Sequence, residues 1–209
     1  MKPLIGLNFK KYKQATGKNA LKLLKILDKY RNNVKMLAGV YEKDYSYVKK
    51  VKIPVYSQKL HIFEVGEAKK KGLKGTFLNH SDHRLKFDVL KEIVKECKKK
   101  KFSTIVFAAS LKEAKKIISL RPDYVAYEDP LLIGTTRSIT KYRSGKVKAF
   151  VGMCKGKTIP LCGAGIHEKE DLDAAIKLGC KGILMASAFV KSRDPNKFIK
   201  DFVKRRGKI

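Results

Sequence analysis

The sequence predicts an α/β fold, a (β/α)8 barrel of eight parallel strands with surrounding helices. Two observations carry this. Short apolar, β-rich runs alternate with longer amphipathic stretches from end to end, which is the pattern of a parallel sheet built from strand–helix units. The number of such runs is eight, which fits a closed barrel and removes the edge strands an open sheet must protect. An open, doubly wound sheet is the structural alternative. No G-x-G-x-x-G follows the first run, so a dinucleotide fold has no direct support.

The eight runs cover residues 4–9, 34–40, 55–58, 75–78, 104–109, 124–128, 160–162 and 182–186. Helical patterns lie at residues 19–30, where Leu21, Leu24 and Leu27 share a face, and at 88–99, 111–120, 168–178 and 196–205. The stretches after the second and third runs are short for helices, and residues 140–156 carry no clear pattern. No linker or charge-partitioned boundary appears, so residues 1–209 read as a single domain. A chain of 209 residues is short for such a barrel, so its loops must be short.

The charge is extreme. There are 49 Lys and Arg against 19 Asp and Glu, a formal net charge of +30. Such a balance suits a nucleic-acid binder or an enzyme that attracts anions. It equally suits a lysine-rich surface, because the lysines are spread along the chain. Clusters such as Lys69–Lys71 and Lys98–Lys101 fall at the ends of predicted helices, where the helix dipole favours cations. Cys97, Cys154, Cys162 and Cys180 form neither a C-x-x-C pair nor a metal spacing, which points to a reduced protein with no metal site. The opening residues, Met1 to Lys11, lack a secretory apolar core, and no apolar run is long enough to cross a membrane. A cytoplasmic protein is expected.

Chemistry in such a barrel sits where strands end at their carboxyl side. The first run ends in Asn8-Phe9-Lys10 and the fourth in Asn79-His80-Ser81-Asp82. The sixth ends in Glu128-Asp129-Pro130, followed by Ile133-Gly134-Thr135-Thr136. The seventh ends in Cys162-Gly163-Ala164-Gly165 and the eighth in Ala186-Ser187. Each has a bland reading: surface charge for Lys10, a cap for His80, a rim ion pair for Glu128, turns for the glycines. Together they place a lysine, a histidine and a glutamate on one rim. Glu128 ends a buried strand, where partial loss of solvent raises a carboxylate's basicity. Residues 81–84 are expected to form a short helix whose N-terminus keeps His80 neutral and a hydrogen-bond donor. Gly134, Gly165, Ala186 and Ser187 leave backbone N–H groups open to a phosphate.

These motifs, in this order and spacing from about residue 4 to about residue 200, resemble the triosephosphate isomerase family in its short archaeal form. The resemblance implies interconversion of dihydroxyacetone phosphate and D-glyceraldehyde 3-phosphate, a step of glycolysis and gluconeogenesis, with no cofactor and no metal. The acid/base pairing is the family's, carried over by the resemblance: Glu128 as proton acceptor and His80 as electrophile. Lys10, with Asn8 and Phe9 beside it, and Ile133, Gly134, Gly165, Ala186 and Ser187 fall at substrate- or phosphate-holding positions. Residues 129–136 would be the lid. A homo-oligomer, dimer or tetramer, is implied; a specific nucleic-acid partner and a membrane are not. The chain departs from the family at Asp82, one methylene shorter than the usual Glu, and at Asp129, Leu131 and Thr136 in the lid. The third loop, from Lys59 to Val65, is also cut short. Two other readings remain open at this stage: another phosphosugar-processing barrel, and a non-catalytic barrel that binds polyanions such as RNA.

Overall fold

A computed structural model describes residues 2–204. Eight parallel strands close into a barrel in sequence order: β1 (Leu4–Asn8), β2 (Lys35–Val40), β3 (Val55–Ser57), β4 (Gly75–Leu78), β5 (Ser103–Ala108), β6 (Tyr124–Glu128), β7 (Ile159–Gly163) and β8 (Gly182–Met185). Closure is made by β8 on β1, with Leu4 opposite Gly182 and Leu7 opposite Met185. Every strand falls within a residue or so of its predicted run.

The helices are α1 (Lys18–Lys29), α2 (Val65–Lys70), α3 (Phe87–Lys99), α4 (Leu111–Ser119), α5 (Ile139–Tyr142), α6 (Ser144–Cys154), α7 (Lys169–Lys177), α8 (Ser187–Val190) and α9 (Pro195–Val203). The predicted helix at 196–205 thus ends at Val203, and Arg205, like Met1, lies outside the described residues. On α1 the buried residues are Ala20, Leu23, Leu24, Ile26 and Leu27, not the expected Leu21, Leu24 and Leu27; Leu21 is only half-buried. The segment after β2 is a 3₁₀ helix (Glu42–Lys50), and the shortened third loop is a 3₁₀ turn (Ile62–Glu64) running straight into α2. Lys69 and Lys70 sit in the last turn of α2, and Lys98 and Lys99 in that of α3, where the dipole favours them.

Two apolar layers hold the barrel. Ile5, Leu7, Leu78, Val106, Val125 and Tyr127 point outward into the larger layer under the helices. Leu4, Leu37, Tyr56, Phe77, Ile105, Phe107, Ala126, Leu161 and Leu184 fill the interior. The alternation along each strand is the period of two that a pleated strand imposes. Large interior side chains need small neighbours on nearby strands. A Cβ at Gly39 would strike the buried Phe77 ring, and one at Gly75 would strike both the Tyr56 ring and the Ser103 backbone carbonyl. All four cysteines are buried free thiols. Burial pushes Cys97 and Cys154 up to about 12, which leaves them unreactive. No helix among the described residues is long and apolar enough to cross a membrane.

Candidate active site

The two-residue period also decides what reaches the mouth. On β1, Leu4 faces inward, so Asn8 and then Lys10 follow on the inner side, while Phe9 shares the outer side with Ile5 and Leu7. Asn8 Oδ1 accepts from the Lys10 N–H at 3.0 Å, fixing the turn in which Lys10 adopts a φ of 46°. Phe9 is a correction to the sequence reading: it is fully buried against Phe189 in the outer layer and does not line the site. On β6, Ala126 faces inward and Tyr127 outward, so Glu128 again faces the mouth, with its side chain 13% exposed.

His80 arrives there differently. Phe77 is inside and Leu78 outside, so strict alternation would send His80 outward. Asn79 breaks the alternation with a φ of 60°, and the imidazole packs edge-on against Phe107 inside the barrel, with ring centroids 4.7 Å apart. The expected helix over residues 81–84 is a turn instead. The Leu85 N–H donates to Asn79 Oδ1 at 3.0 Å and is therefore not spent on a helical bond, and α3 begins only at Phe87. No helix N-terminus acts on His80, which corrects the electrostatic reasoning given for its neutrality.

The neighbours of the imidazole set its state. The Asp82 N–H donates to Nδ1 at 3.2 Å, which makes Nδ1 an acceptor and leaves the proton of the neutral ring on Nε2. Nε2 lies 3.3 Å from Glu128 Oε2 but is not aligned for a hydrogen bond, so this buried donor is left for a ligand. Burial favours the neutral ring. The close approach of the Asp82 and Glu128 carboxylates, at 3.4 and 3.3 Å, outweighs it and holds the pKa above the ordinary 6.5. The His80 imidazole, with Nδ1 3.4 Å from Asp82 Oδ2, holds Asp82 below the usual carboxylate range, and the charge of Lys10 adds to it. Lys10 Nζ stands 3.9 Å from Asp82 Oδ2, a long contact for an ion pair.

Glu128, Asn8 and Lys10 line one cavity with Ile133, Gly134, Gly165, Ala186 and Ser187. Gly165 has a φ of 72°, and a Cβ there would collide with the Arg137 carbonyl, so only glycine lets the seventh loop pass so close to the sixth. The loop after Glu128 opens with a 3₁₀ turn (Pro130–Leu132) capped by Asp129, whose Oδ1 accepts from the Leu131 N–H at 3.1 Å. Its far end is fastened by the Thr135 carbonyl, 3.2 Å from His167 Nε2. Tyr12 and His167 also line the cavity and were missed in the sequence. Each lies two residues beyond a residue that was found, Lys10 and Gly165, so spacing along the chain was the available signal. No group of three or more His, Cys, Asp or Glu among the described residues is arranged to hold a metal.

Comparison with known proteins shows the family. The family model described as triosephosphate isomerase matches residues 3–202. The triosephosphate isomerase of Methanothermus fervidus is 33% identical over 97% of this chain and 98% of its own length. That of Methanocaldococcus jannaschii is also 33% identical, over 96% and 99%. Among solved structures, a mutant tryptophan synthase α-subunit from Pyrococcus furiosus superposes with a TM-score of 0.73 over 97% of this chain and 99% of that one; at 18% identity this likeness shows the barrel fold alone. With a full-length family match and relatives of this identity and coverage, the chain belongs to the triosephosphate isomerase family.

Proposed function

We propose that this protein interconverts dihydroxyacetone phosphate and D-glyceraldehyde 3-phosphate in glycolysis and gluconeogenesis, as a cytoplasmic enzyme. The observation that carries the proposal is the 3.3 Å approach of His80 Nε2 to Glu128 Oε2, from β4 and β6, which only β5 separates at the mouth. A small ligand seated against this pair meets a carboxylate and a ring N–H together.

In this reading Glu128 takes a proton from the carbon that bears the hydroxyl beside the carbonyl. The released electron pair forms the carbon–carbon double bond of an enediolate, and negative charge moves onto the former carbonyl oxygen. His80 donates to that oxygen through Nε2–H, and the Lys10 ammonium lowers its charge further. Glu128 returns the proton to the neighbouring carbon, and the hydroxyl proton passes between the two oxygens by way of the imidazole. Asn8 contacts the triose. The phosphate lies on backbone N–H groups around Ile133, Gly134, Gly165, Ala186 and Ser187. Residues 129–136 close over the ligand and exclude water, which limits loss of phosphate from the enediolate. The cationic surface aids capture of the dianionic substrate.

Assembly as a homo-oligomer belongs to the same proposal. Phe63, at the tip of the shortened third loop, is 93% exposed, an unusual place for a large apolar side chain in a lone protomer. A coupled isomerase assay tests the activity. Glu128→Gln is expected to lower kcat by about 10²–10⁴-fold, and an unchanged rate would overturn the assignment. Sizing of wild type beside Phe63→Lys tests the assembly, with a shift toward monomer expected in the variant.

A further inference from the structure

The turn that swings His80 into the barrel rests on Asn79, and Asn79 is held at both ends of its side-chain amide and at its carbonyl. Its Nδ2 donates to the Phe107 carbonyl and to Glu113 Oε1, both at 2.9 Å. Its Oδ1 accepts from the Leu85 N–H at 3.0 Å, and its own carbonyl accepts from Arg84 Nη1 at 3.0 Å. Arg84 Nη2 in turn pairs with Glu113 Oε1. The other oxygen of Glu113 accepts from the Ala109 N–H at 2.7 Å, at the exit of β5, and the Glu113 N–H donates to Ser110 Oγ at 3.1 Å. Glu113 does not line the catalytic cavity, yet it joins the exit of β5 and the start of α4 to the residue that aims the imidazole. Asparagine tolerates left-handed backbone better than other residues with a Cβ, and these bonds select that conformation for Asn79 over the extended one.

We infer that Glu113 is a positioning residue for His80, acting with Arg84 through Asn79 to hold the left-handed turn that directs Nε2 toward Glu128 and the ligand. The inference rests on the isomerase reading and deepens it. Burial acts to raise the Glu113 carboxyl, but the bonds from Arg84, the Ala109 N–H and Asn79 outweigh it and hold the group below the ordinary range. It therefore remains an acceptor at neutral pH. A role confined to the start of α4 would cost stability and leave the imidazole untouched; a positioning role moves the imidazole.

The test compares wild type, Glu113→Ala, Glu113→Gln, Arg84→Met and the double variant Glu113→Ala/Arg84→Met. Steady-state constants are read on dihydroxyacetone phosphate, and the His80 ring nitrogens are titrated by NMR in protein labelled at its four histidines. Misplacing a reacting group by about 1 Å costs up to about 10²-fold. Glu113→Ala is therefore expected to lose kcat by about 10–10²-fold, with KM changed by less than about threefold. Glu113→Gln should retain more activity than Glu113→Ala, because its amide oxygen still accepts from Asn79 or Arg84. The double variant should be little worse than Glu113→Ala, and the His80 titration should move in each variant. A folded Glu113→Ala protein with wild-type kcat and an unmoved His80 titration overturns the inference. Where Glu113→Ala does not fold, Arg84→Met, at a half-exposed position, gives the same two readouts. If wild type shows no turnover, the isomerase reading fails, and the His80 titration still decides the positioning role.

Discussion

Arg143 Nε donates to Asp129 Oδ2 at 2.7 Å, tying the junction between α5 and α6 to the residue directly after Glu128. Asp129 is buried, and its second oxygen is already used on the Leu131 N–H, so the carboxylate is fixed at both ends at the root of the lid.

Removing one partner of that pair should therefore be costly. Arg143→Met leaves a buried carboxylate without its cation and is expected to lower stability by about 1–3 kcal/mol, moderated by the partial exposure of Arg143. Urea unfolding measures this. Asp129→Pro should recover stiffness at the lid root and show a milder loss than Arg143→Met.

The same pair sets part of the acid limit. Burial acts to raise the Asp129 carboxyl, but the bonds from Arg143 and Leu131 and the surrounding cations hold it below its ordinary 3.8. A depressed carboxylate contributes stability that is present above 3.8 and lost as pH falls through the lower folded-state value. Asp82 and Glu113, also depressed, act in the same direction. Thermal midpoints recorded from pH 6 downward should fall most steeply below about pH 4, and less steeply in Arg143→Met.

His80 works in the opposite sense. Its pKa in the folded protein lies above 6.5, so the stability it contributes is complete below 6.5 and is lost as pH rises through the folded-state value. Catalysis needs the neutral ring, so kcat/KM should fall toward acid with a midpoint above 6.5. NMR titration should place His80 at that midpoint, and Asp82→Asn should lower it. A ring that titrates below 6.5 in wild type would contradict the contacts described for it.

Asp82 reaches Lys10 only at 3.9 Å. Restoring the methylene with Asp82→Glu should tighten that contact and raise kcat/KM by about threefold, equivalent to less than 1 kcal/mol of transition-state stabilisation. Steady-state kinetics on both triose phosphates read this, and a decrease would show that the shorter acid is matched to its surroundings.

The charge surplus gives a fifth expectation. At low salt a cationic field raises the encounter rate of an anion by about 10–10³-fold, and at physiological ionic strength charges beyond about 8 Å are largely screened. Added salt should lower kcat/KM while leaving kcat nearly unchanged. A flat profile in kcat/KM would remove substrate capture as a use for the lysines.

The barrel was legible because each strand is a short apolar run bounded by polar or glycine-rich turns, and β4 and β6 fall where the runs do. Helix α6 was not legible, for a physical reason. It carries Gly145 and Gly152, and its apolar residues are spread around the axis, with Val147, Phe150 and Cys154 buried but Val151 and Met153 only half-buried. The site residues from the inner parity of β1 and β6 were readable, and Phe9 went wrong because adjacency in sequence was taken for adjacency in space. The turn at residues 81–84 and the Glu113–Arg84–Asn79 cluster were not readable. Both depend on one left-handed asparagine and on a contact between residues 34 positions apart.

The interlock of Gly39 with Phe77 bears on how such a chain can diverge. Neither member of the pair can drift alone: growth at the glycine must wait until the opposing ring has been replaced by something smaller, and the ring cannot shrink without opening a void. Lineages descending from this one should therefore change the two sites together or leave them as they are.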